Sequence, residues 1–276
     1  MCEIIEKNGN IILHNLQSFN LAQTLDCGQA FRFCESDGVW SAVVFGKKID
    51  IAQIGEDIII YNMKKAEFME NFYGYFTLDI DYDLIKSQLS ADENLKSAID
   101  YCGGIRLLRQ DKWECLCSFI ISQNNNIPRI KGIIERLCEN FGEKTKGGYT
   151  FPSYEKIATL TVEDLSVLRA GFRAKYIIDA SKKCANGEID FDLLDTAPLD
   201  TAREELKKIK GVGNKVADCV LLFSCSRFDA FPRDVWINRV VSELYPNGLP
   251  ECFGTYGGIA QQYLFHWRRN LENSWL

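Results

Sequence analysis

The spacing of apolar residues divides the chain into two parts. Up to about residue 103, short apolar runs alternate with polar residues and are separated by turn signals such as Asp37-Gly38, a pattern typical of antiparallel strands. Strands are predicted over 29–34, 39–45, 50–53 and 57–61, and helices over 65–76 and 82–102. The first part is therefore predicted to be an antiparallel sheet with flanking helices.

From residue 104 the apolar positions follow a helical period. In segment 127–141 they recur at spacings of three and four, which places them on one helix face. Thr161 and Asp164 are typical of a helix start, and Asn186-Gly187 ends the helix that begins near Lys175. Further helices are predicted over 201–209, 214–225, 234–245 and 256–270.

The predicted fold class is α+β with two domains. Residues 1–103 form an N-terminal antiparallel β-sheet domain with flanking helices, and residues 104–276 form an all-α region. Within that region, two helices at about 201–225 are joined by a tight hairpin. A chain of 276 residues with 46% hydrophobic residues can bury a sizeable core.

Charge and composition restrict the function only weakly. The net charge of −6 argues against a nucleic-acid partner, but residues 1–100 carry −8 and residues 101–276 carry +2. No run approaches the ~20 apolar residues of a membrane helix, so no membrane partner is expected. The first residues lack the basic and apolar segments of a signal peptide, so the expected compartment is the cytoplasm.

The cysteines argue against a metal centre. None of the 11 cysteines forms a pair with the two-residue spacing of a zinc or iron–sulfur motif, and there are only two histidines. Most of the cysteines are expected to be small buried thiols in a reducing compartment. A His-rich metal site is therefore not expected.

The turn Gly211-Val212-Gly213 lies between two predicted helices. Its glycines permit a tight turn with positive φ, and the free N–H groups at the start of the second helix attract anions. Such a helix-hairpin-helix can hold a DNA backbone phosphate without reading the base sequence. The alternative is a plain connection between two helices, and the turn alone does not separate the two.

Two residues near this hairpin are candidates for chemistry. Lys215 lies in the first turn of the second helix, where the positive helix end disfavours a cation and so favours the neutral, nucleophilic amine. Nineteen positions later, Asp234 lies where the next helix begins, so its carboxylate would cap backbone N–H groups. The simpler alternatives are a solvated surface lysine and an ordinary helix cap.

These residues together resemble the helix-hairpin-helix, Gly-Pro-Asp superfamily of DNA glycosylases. Lys210 stands where that hairpin often has Pro, which is a mild departure. Nearly the whole chain is similar to the 8-oxoguanine DNA glycosylase family first known in eukaryotes, in a form that we expect to be bacterial or archaeal. The matching segments are 28–32, 105–111, 114–116, 122–130, 171–176, 215–219, and 260–261 with 264–265.

The resemblance implies a bifunctional DNA glycosylase and AP lyase that acts on 8-oxoguanine, preferably opposite cytosine, in double-stranded DNA. Lys215 would attack C1′ of the flipped-out nucleoside, and Asp234 would stabilise the positively charged sugar. The resulting Schiff base would permit β-elimination of the 3′ phosphate. We expect the enzyme to act as a monomer and to be associated with the nucleoid when it acts on DNA.

The resemblance also implies a base pocket and a set of DNA contacts. In the pocket, the Gly28 carbonyl would accept the N7–H of 8-oxoguanine, Cys219 and Phe265 would sandwich the base, and Gln261 would read its Watson–Crick edge. The implied DNA contacts are Asn124 filling the gap in the helix, Arg129 and Arg173 donating to the cytosine, Phe172 wedging beside it, and Gly211, Gly213 and Trp236 near the backbone. Taken singly, each of these residues also fits a purely structural role.

Departures from the family pattern narrow the alternatives. Trp236 stands where the eukaryotic form usually has His, so only that auxiliary phosphate contact is in doubt. Only Cys252 follows Cys225, so the iron–sulfur cluster of the endonuclease III type is not expected. No cofactor is expected to be required, although a monovalent cation at the hairpin fits the family. A glycosylase for another damaged base and a noncatalytic DNA-binding protein stay open as alternatives.

Overall fold

The computed structural model describes residues 2–273. A six-stranded antiparallel sheet in the order β1-β2-β6-β5-β4-β3 forms the first part of the chain. Its strands are β1 (Glu3–Lys7), β2 (Asn10–His14), β3 (Cys34–Ser36), β4 (Val39–Val44), β5 (Lys47–Ile54) and β6 (Asp57–Ile60). The helices of this part are α1 (Leu21–Leu25), α2 (Lys65–Asn71), α3 (Tyr82–Leu89) and α4 (Glu93–Cys102).

The rest of the described chain is almost entirely helical. Its helices are α5 (Lys112–Ser122), α6 (Ile127–Phe141), α7 (Tyr154–Ala158), α8 (Arg173–Ala185), α9 (Leu193–Thr196), α10 (Leu199–Lys207), α11 (Asn214–Ser224), α12 (Val235–Leu244) and α13 (Gly257–Asn273). Two 3₁₀ helices cover Asp164–Leu168 and Glu251–Tyr256. A short hairpin of β7 (Lys144–Thr145) and β8 (Gly148–Tyr149) follows α6. The predicted α+β fold class is confirmed.

Local polar signals account for several element boundaries. Asp37 and Gly38, with φ of 53° and 80°, form the predicted turn between β3 and β4. Asp164 accepts from the Thr161 N–H, and the Thr161 hydroxyl accepts from the Asp164 N–H. This reciprocal pair starts the predicted helix, which is a 3₁₀ helix rather than an α-helix.

Other predictions of local structure were wrong. The helix predicted over 82–102 is two helices, because Asp92 adopts an extended backbone and its side chain accepts from the Leu95 N–H at 2.8 Å. The helix predicted over 65–76 ends at Asn71. The β1–β2 hairpin was missed, although Asn8 and Gly9, with φ of 53° and 75°, carry the usual Asn-Gly signal.

The strand predicted over 29–34 is mostly irregular, and a buried amide explains why. Only Cys34 belongs to β3. The fully buried Gln29 side chain donates to the carbonyls of Thr24 and Arg106, each at 2.8 Å, and accepts from the Leu108 N–H. These side-chain hydrogen bonds satisfy buried backbone groups that a sheet ladder would otherwise pair.

Two hydrophobic cores meet along this irregular segment. The sheet core is formed by residues such as Ile11, Ile49 and Phe72, and the helical core by residues such as Leu116 and Leu221. Helices α3 and α4 lie in the helical core, where α4 packs against α13. The domain division at 103/104 stays a prediction. Within residues 2–273, no helix is long and apolar enough to cross a membrane.

Candidate active site

The predicted hairpin joins α10 to α11 through a tight turn. The Val212 N–H donates to the Ile209 carbonyl at 3.1 Å, and Gly211 has φ of +84°. A Cβ on Gly211 would lie 2.5 Å from the Tyr176 ring, so only glycine fits there. The prediction of positive φ was wrong for Gly213, whose φ is −111°. Gly213 precedes α11 without a side-chain cap, so the first N–H groups of α11 face an open region.

Lys215 lies in the first turn of α11, partly buried against an aromatic ring. Its Nζ is 5.2 Å from the centre of the Phe119 ring. One turn further along, burial raises the pKa of the Cys219 thiol to about 11, although the Lys215 side chain hydrogen-bonds to it and opposes the shift. Cys219 is therefore a neutral thiol at neutral pH.

Asp234 is held by the start of the next helix. It is the N-cap of α12, and its Oδ1 accepts from the Ile237 N–H at 2.7 Å. The predicted cap is confirmed. The cap fixes the side-chain rotamer and thereby places the carboxylate.

A cavity of about 420 Å³ brings the two candidates for chemistry together. Lys215 and Asp234 both line it, and so does the hairpin glycine Gly213. The remaining lining residues are Ser122, Gln123, Asn124, Asn125 and Val216. An amine, a carboxylate and uncapped N–H groups thus share one open cavity. The amine can act as a nucleophile there, and the N–H groups can bind an anion.

The segment 123–126, here called the asparagine loop, connects α5 to α6 beside this cavity. Asn124 is exposed and has φ of +47°, a conformation that asparagine tolerates better than most residues. Asn126 caps α6 by accepting from the Arg129 N–H at 3.0 Å. The loop therefore holds Asn124 out on the surface next to Lys215.

Arg173 supports the asparagine loop in a way that was not foreseen. The residue is 2% exposed. Its guanidinium donates to the Gln123 carbonyl at 2.9 Å, to the Asn124 carbonyl at 2.7 Å and to the Ala170 carbonyl at 3.1 Å. These contacts fix the backbone of the loop. A contact between Arg173 and the base opposite the lesion stays a prediction.

The other two residues predicted to face the opposite base are exposed. Arg129 lies at the surface, with its Nη2 3.4 Å from the Arg169 carbonyl. Phe172 is 46% exposed, and its ring lies against the Arg173 guanidinium at 4.5 Å. An exposed aromatic side chain beside the asparagine loop is available for stacking.

The four predicted base-pocket residues come from three parts of the chain. Gly28, with φ of +87°, follows Cys27, whose carbonyl accepts from the side chain of Gln262 in α13 at 3.0 Å. This bond ties α13 to the segment that contains Gly28. The role of Gln262 was missed from the sequence, and its position next to the predicted pocket residue Gln261 is the signal that could have indicated it. None of the four, Gly28, Cys219, Gln261 and Phe265, lines the cavity that contains Lys215.

Gln261 has an unusual environment. It is 6% exposed, and its Oε1 is buried with no hydrogen-bond partner among the described residues. An unsatisfied buried oxygen costs roughly 1–3 kcal/mol, which a ligand donor would recover. Phe265, one turn further along α13, is partly buried, with the Arg269 guanidinium 5.8 Å from its ring centre.

Trp236 is partly buried in the first turn of α12. Its Nε1 is buried and has no hydrogen-bond partner in the part of the chain that the structure describes. The Arg239 guanidinium lies 5.7 Å from the indole ring centre. Because this nitrogen is buried, donation from the indole to a DNA phosphate needs a rearrangement that exposes it, and this contact stays a prediction.

The cysteines are free thiols, and seven of the 11 are buried. Over residues 2–273 there is no group of three or more His, Cys, Asp or Glu side chains that could hold a metal ion.

Comparison with known proteins identifies the class. Residues 11–116 match the family model described as 8-oxoguanine DNA glycosylase, N-terminal domain. Residues 117–248 match the HhH-GPD superfamily of base excision DNA repair proteins. An N-glycosylase/DNA lyase of Saccharomyces cerevisiae is 35% identical over 84% of this chain and 69% of its own length. The fold and site thus define a base excision repair protein.

Solved structures agree. An 8-oxoguanine glycosylase/lyase of Clostridium acetobutylicum, in complex with DNA containing cytosine opposite 8-oxoguanine, is 40% identical, with a TM-score of 0.92 over 98% of each chain. One relative found by sequence is named for a different activity: a DNA-3-methyladenine glycosylase of Bacillus subtilis, which is 28% identical over 70% of this chain and 66% of its own length. The chain belongs to the 8-oxoguanine DNA glycosylase branch of the HhH-GPD superfamily.

Proposed function

We propose that the protein excises 8-oxoguanine from double-stranded DNA, preferably opposite cytosine, and then cleaves the abasic strand. The observation that carries this proposal is the cavity shared by Lys215, Asp234 and the uncapped start of α11. The names of the yeast and Clostridium relatives support both activities.

The first step is base release. The amine of Lys215, once deprotonated, forms a bond to C1′ while the bond between C1′ and the base breaks. The base leaves with the bonding electrons and takes up the proton that the amine nitrogen loses as it bonds to C1′. The Asp234 carboxylate, held by its cap on Ile237, stabilises the positive charge that develops on the sugar. Positioning both groups in advance lowers the entropic cost of the attack.

The second step is strand cleavage. The sugar ring opens as O4′ leaves C1′ and becomes a hydroxyl, which gives a Schiff base between C1′ and Lys215. Loss of a proton from C2′ then expels the 3′ phosphate by β-elimination. Because the Lys215 amine is covalently linked in both steps, one residue serves both activities.

The proposed base-pocket residues recognise the damaged base. The Gly28 carbonyl accepts the N7–H that guanine lacks, and Gln261 pairs its unsatisfied Oε1 with donors on the Watson–Crick edge. Phe265 supplies a stacking face, and the neutral thiol of Cys219 packs on the other side of the base. A neutral thiol suits this role because it does not compete with Lys215 as a nucleophile.

The proposed DNA contacts are made mainly by exposed side chains near the cavity. Asn124 fills the space left by the flipped nucleotide, Phe172 wedges beside the opposite cytosine, and Arg129 donates to that cytosine. Arg173 joins Arg129 there when its hydrogen bonds to the asparagine loop are exchanged. The turn at Gly211 and Gly213 binds a backbone phosphate, and Trp236 lies near a neighbouring phosphate.

The proposal also covers the cofactor, the roles of the two domains, the oligomeric state and the compartment. A monovalent cation at the hairpin turn is part of this proposal, and no other cofactor is required for the two steps. The N-terminal domain, residues 1–103, supplies the segment 27–32 as one side of the base pocket, here called the Gly28 wall. Residues 104–276 supply the groups that react. We also propose that the enzyme acts as a monomer in the bacterial or archaeal cytoplasm, on the DNA of the nucleoid.

Borohydride trapping tests the central step. Incubation with a duplex that contains 8-oxoguanine opposite cytosine should give a covalent adduct with the wild-type protein and none with Lys215→Gln. Lys182→Gln, which changes an exposed lysine of α8, is the matched control and should retain the adduct. Equal trapping by Lys215→Gln and wild type would exclude Lys215 as the nucleophile.

The same experiment separates the alternatives. A duplex containing 3-methyladenine tests the activity named for the Bacillus relative. Release of that base in preference to 8-oxoguanine would replace the proposed substrate. Tight DNA binding without base release from either duplex would indicate a noncatalytic binding protein.

A further inference from the structure

The hairpin turn has a geometry that normally favours proline. In the turn from Ile209 to Val212, Lys210 is the second residue and Gly211, with φ of +84°, is the third. A positive φ at the third position is characteristic of a type II turn, and proline is common at the second because its ring presets φ. Lys210 lacks that restraint, so the chain has to fix the turn in another way.

The structure gives the Lys210 amide a specific partner. The Lys210 N–H, which proline would not have, donates to Oδ2 of Asp179 in α8 at 2.7 Å. The Asp179 carboxylate also pairs with Lys183, one turn further along α8, at 3.1 Å. One turn earlier, the Tyr176 ring packs against Gly211. Tyr176 and Asp179, on successive turns of α8, therefore contact the hairpin turn, and Lys183 holds the carboxylate.

We propose that Asp179 is a positioning residue for the hairpin turn, which it fixes by accepting a hydrogen bond from the Lys210 amide in place of the restraint that a proline ring would supply. The proposal rests on the proposed function in one respect, namely that this turn binds a DNA phosphate. Asp179 does not line the cavity of Lys215 and Asp234, and its carboxylate accepts from the backbone of the turn, so we expect it to act through that backbone.

The sign of the effect on DNA affinity separates positioning from simple electrostatics. A carboxylate beside a phosphate site repels DNA, so its removal should strengthen binding if charge alone matters. If Asp179 fixes the turn, its removal should weaken binding, because the free turn must be ordered each time DNA binds. Lys183 offsets part of the negative charge, which makes the electrostatic gain small.

The first experiment measures Kd for a duplex that contains a stable abasic-site analogue. Asp179→Ala should weaken binding about fivefold, which is the ordinary worth of one hydrogen bond. Asp179→Asn should stay within about twofold of wild type, because an amide oxygen still accepts from the Lys210 N–H. The rate of base excision at saturating DNA should be unchanged in both variants. Binding by Asp179→Ala as tight as wild type, or tighter, overturns the proposal.

The second experiment asks whether proline replaces the hydrogen bond. Lys210→Gln removes the side-chain charge but keeps the N–H, and serves as the reference for Lys210→Pro. In the Lys210→Gln background, Asp179→Ala should again cost about fivefold in affinity. In the Lys210→Pro background it should cost nothing or restore affinity, because the ring stands where the N–H pointed at the carboxylate. An equal loss in both backgrounds overturns the proposal.

These measurements also separate this proposal from the proposed function. The binding experiments use a duplex that is not cleaved, so they report on the turn whether or not 8-oxoguanine is the substrate. Failure of the wild-type protein to excise 8-oxoguanine would remove the proposed function and leave the affinity comparison intact.

Discussion

The hairpin side of the site and the Gly28 wall are built in different ways. On the hairpin side, Asp234 is placed by its own helix cap and Lys215 by the first turn of α11. The Gly28 wall is held by side chains that reach it from distant parts of the chain. Gln29 bonds to Arg106 and Leu108, and Gln262 reaches the neighbouring Cys27 carbonyl. Local signals fix one side, and long-range polar contacts fix the other.

A partly buried ion pair shows a further difference between the two sides. Arg32, four residues after Gly28, pairs with Glu114 of α5 at 3.3 Å and donates to the Tyr149 carbonyl in β8. Burial raises the pKa of Glu114 to about 7, although Arg32 opposes the shift. The wall therefore depends on a titratable contact, whereas the asparagine loop on the other side depends on Arg173 and backbone carbonyls.

The largest expected effect comes from removing the charge of Asp234, on the hairpin side of the site. Asp234→Asn should slow base release about 10³-fold, or about 4 kcal/mol, because the developing positive charge loses its counter-charge. Asparagine caps helices as well as aspartate, so the melting temperature and the DNA affinity should stay close to wild type. Single-turnover excision and thermal unfolding check both statements. A rate loss matched by a fall in melting temperature would mean that the cap, not the charge, is what matters.

The next prediction concerns the pH dependence of the wall. Since the folded-state pKa of Glu114 lies above the ordinary 4.5, the folded protein holds a proton that the unfolded chain releases, and stability falls as pH rises from about 4.5 to 7. The loss is on the order of 3 kcal/mol. Glu114→Gln should flatten this slope in urea unfolding at pH 5 and pH 8. Glu56→Gln, at an exposed position, should leave the slope intact.

The third prediction removes the buried amide of the wall. Gln29→Ala should lower the free energy of unfolding by about 2 kcal/mol, since it leaves buried backbone groups unpaired. Base excision should fall, while strand cleavage at a preformed abasic site should persist, because that step needs no base pocket. Gln88→Ala, at an exposed glutamine, is the control. Equal loss of both activities would show that the two sides are not separable.

The smallest expected effect concerns the opposite base. Arg129→Gln should reduce the preference for cytosine over adenine opposite 8-oxoguanine by about fivefold, or about 1 kcal/mol, because one donor is weakened at an exposed position. Excision rates on the two duplexes measure this preference. An unchanged ratio would remove Arg129 from opposite-base recognition.

The difference between local and long-range contacts also explains which features could be predicted from the sequence. The Asp234 cap, the Gly211 turn and most helices of the second part depend on residues within one or two turns, and these were predicted from the sequence. The Gln29 segment was taken for a strand because alternation does not reveal a partner at Arg106. The contacts of Arg173 with the asparagine loop were missed for the same reason. The pocket residues were proposed from resemblance alone.

The high pKa of the Cys219 thiol also affects how this cysteine reacts with oxidants. Peroxides react with thiolates, and burial holds the pKa of Cys219 at about 11 and raises that of Cys27, beside Gly28, to about 12. Both sulfurs near the proposed pocket therefore resist conversion to sulfenic acid. A pocket lined by such protonated thiols stays reduced under oxidising conditions.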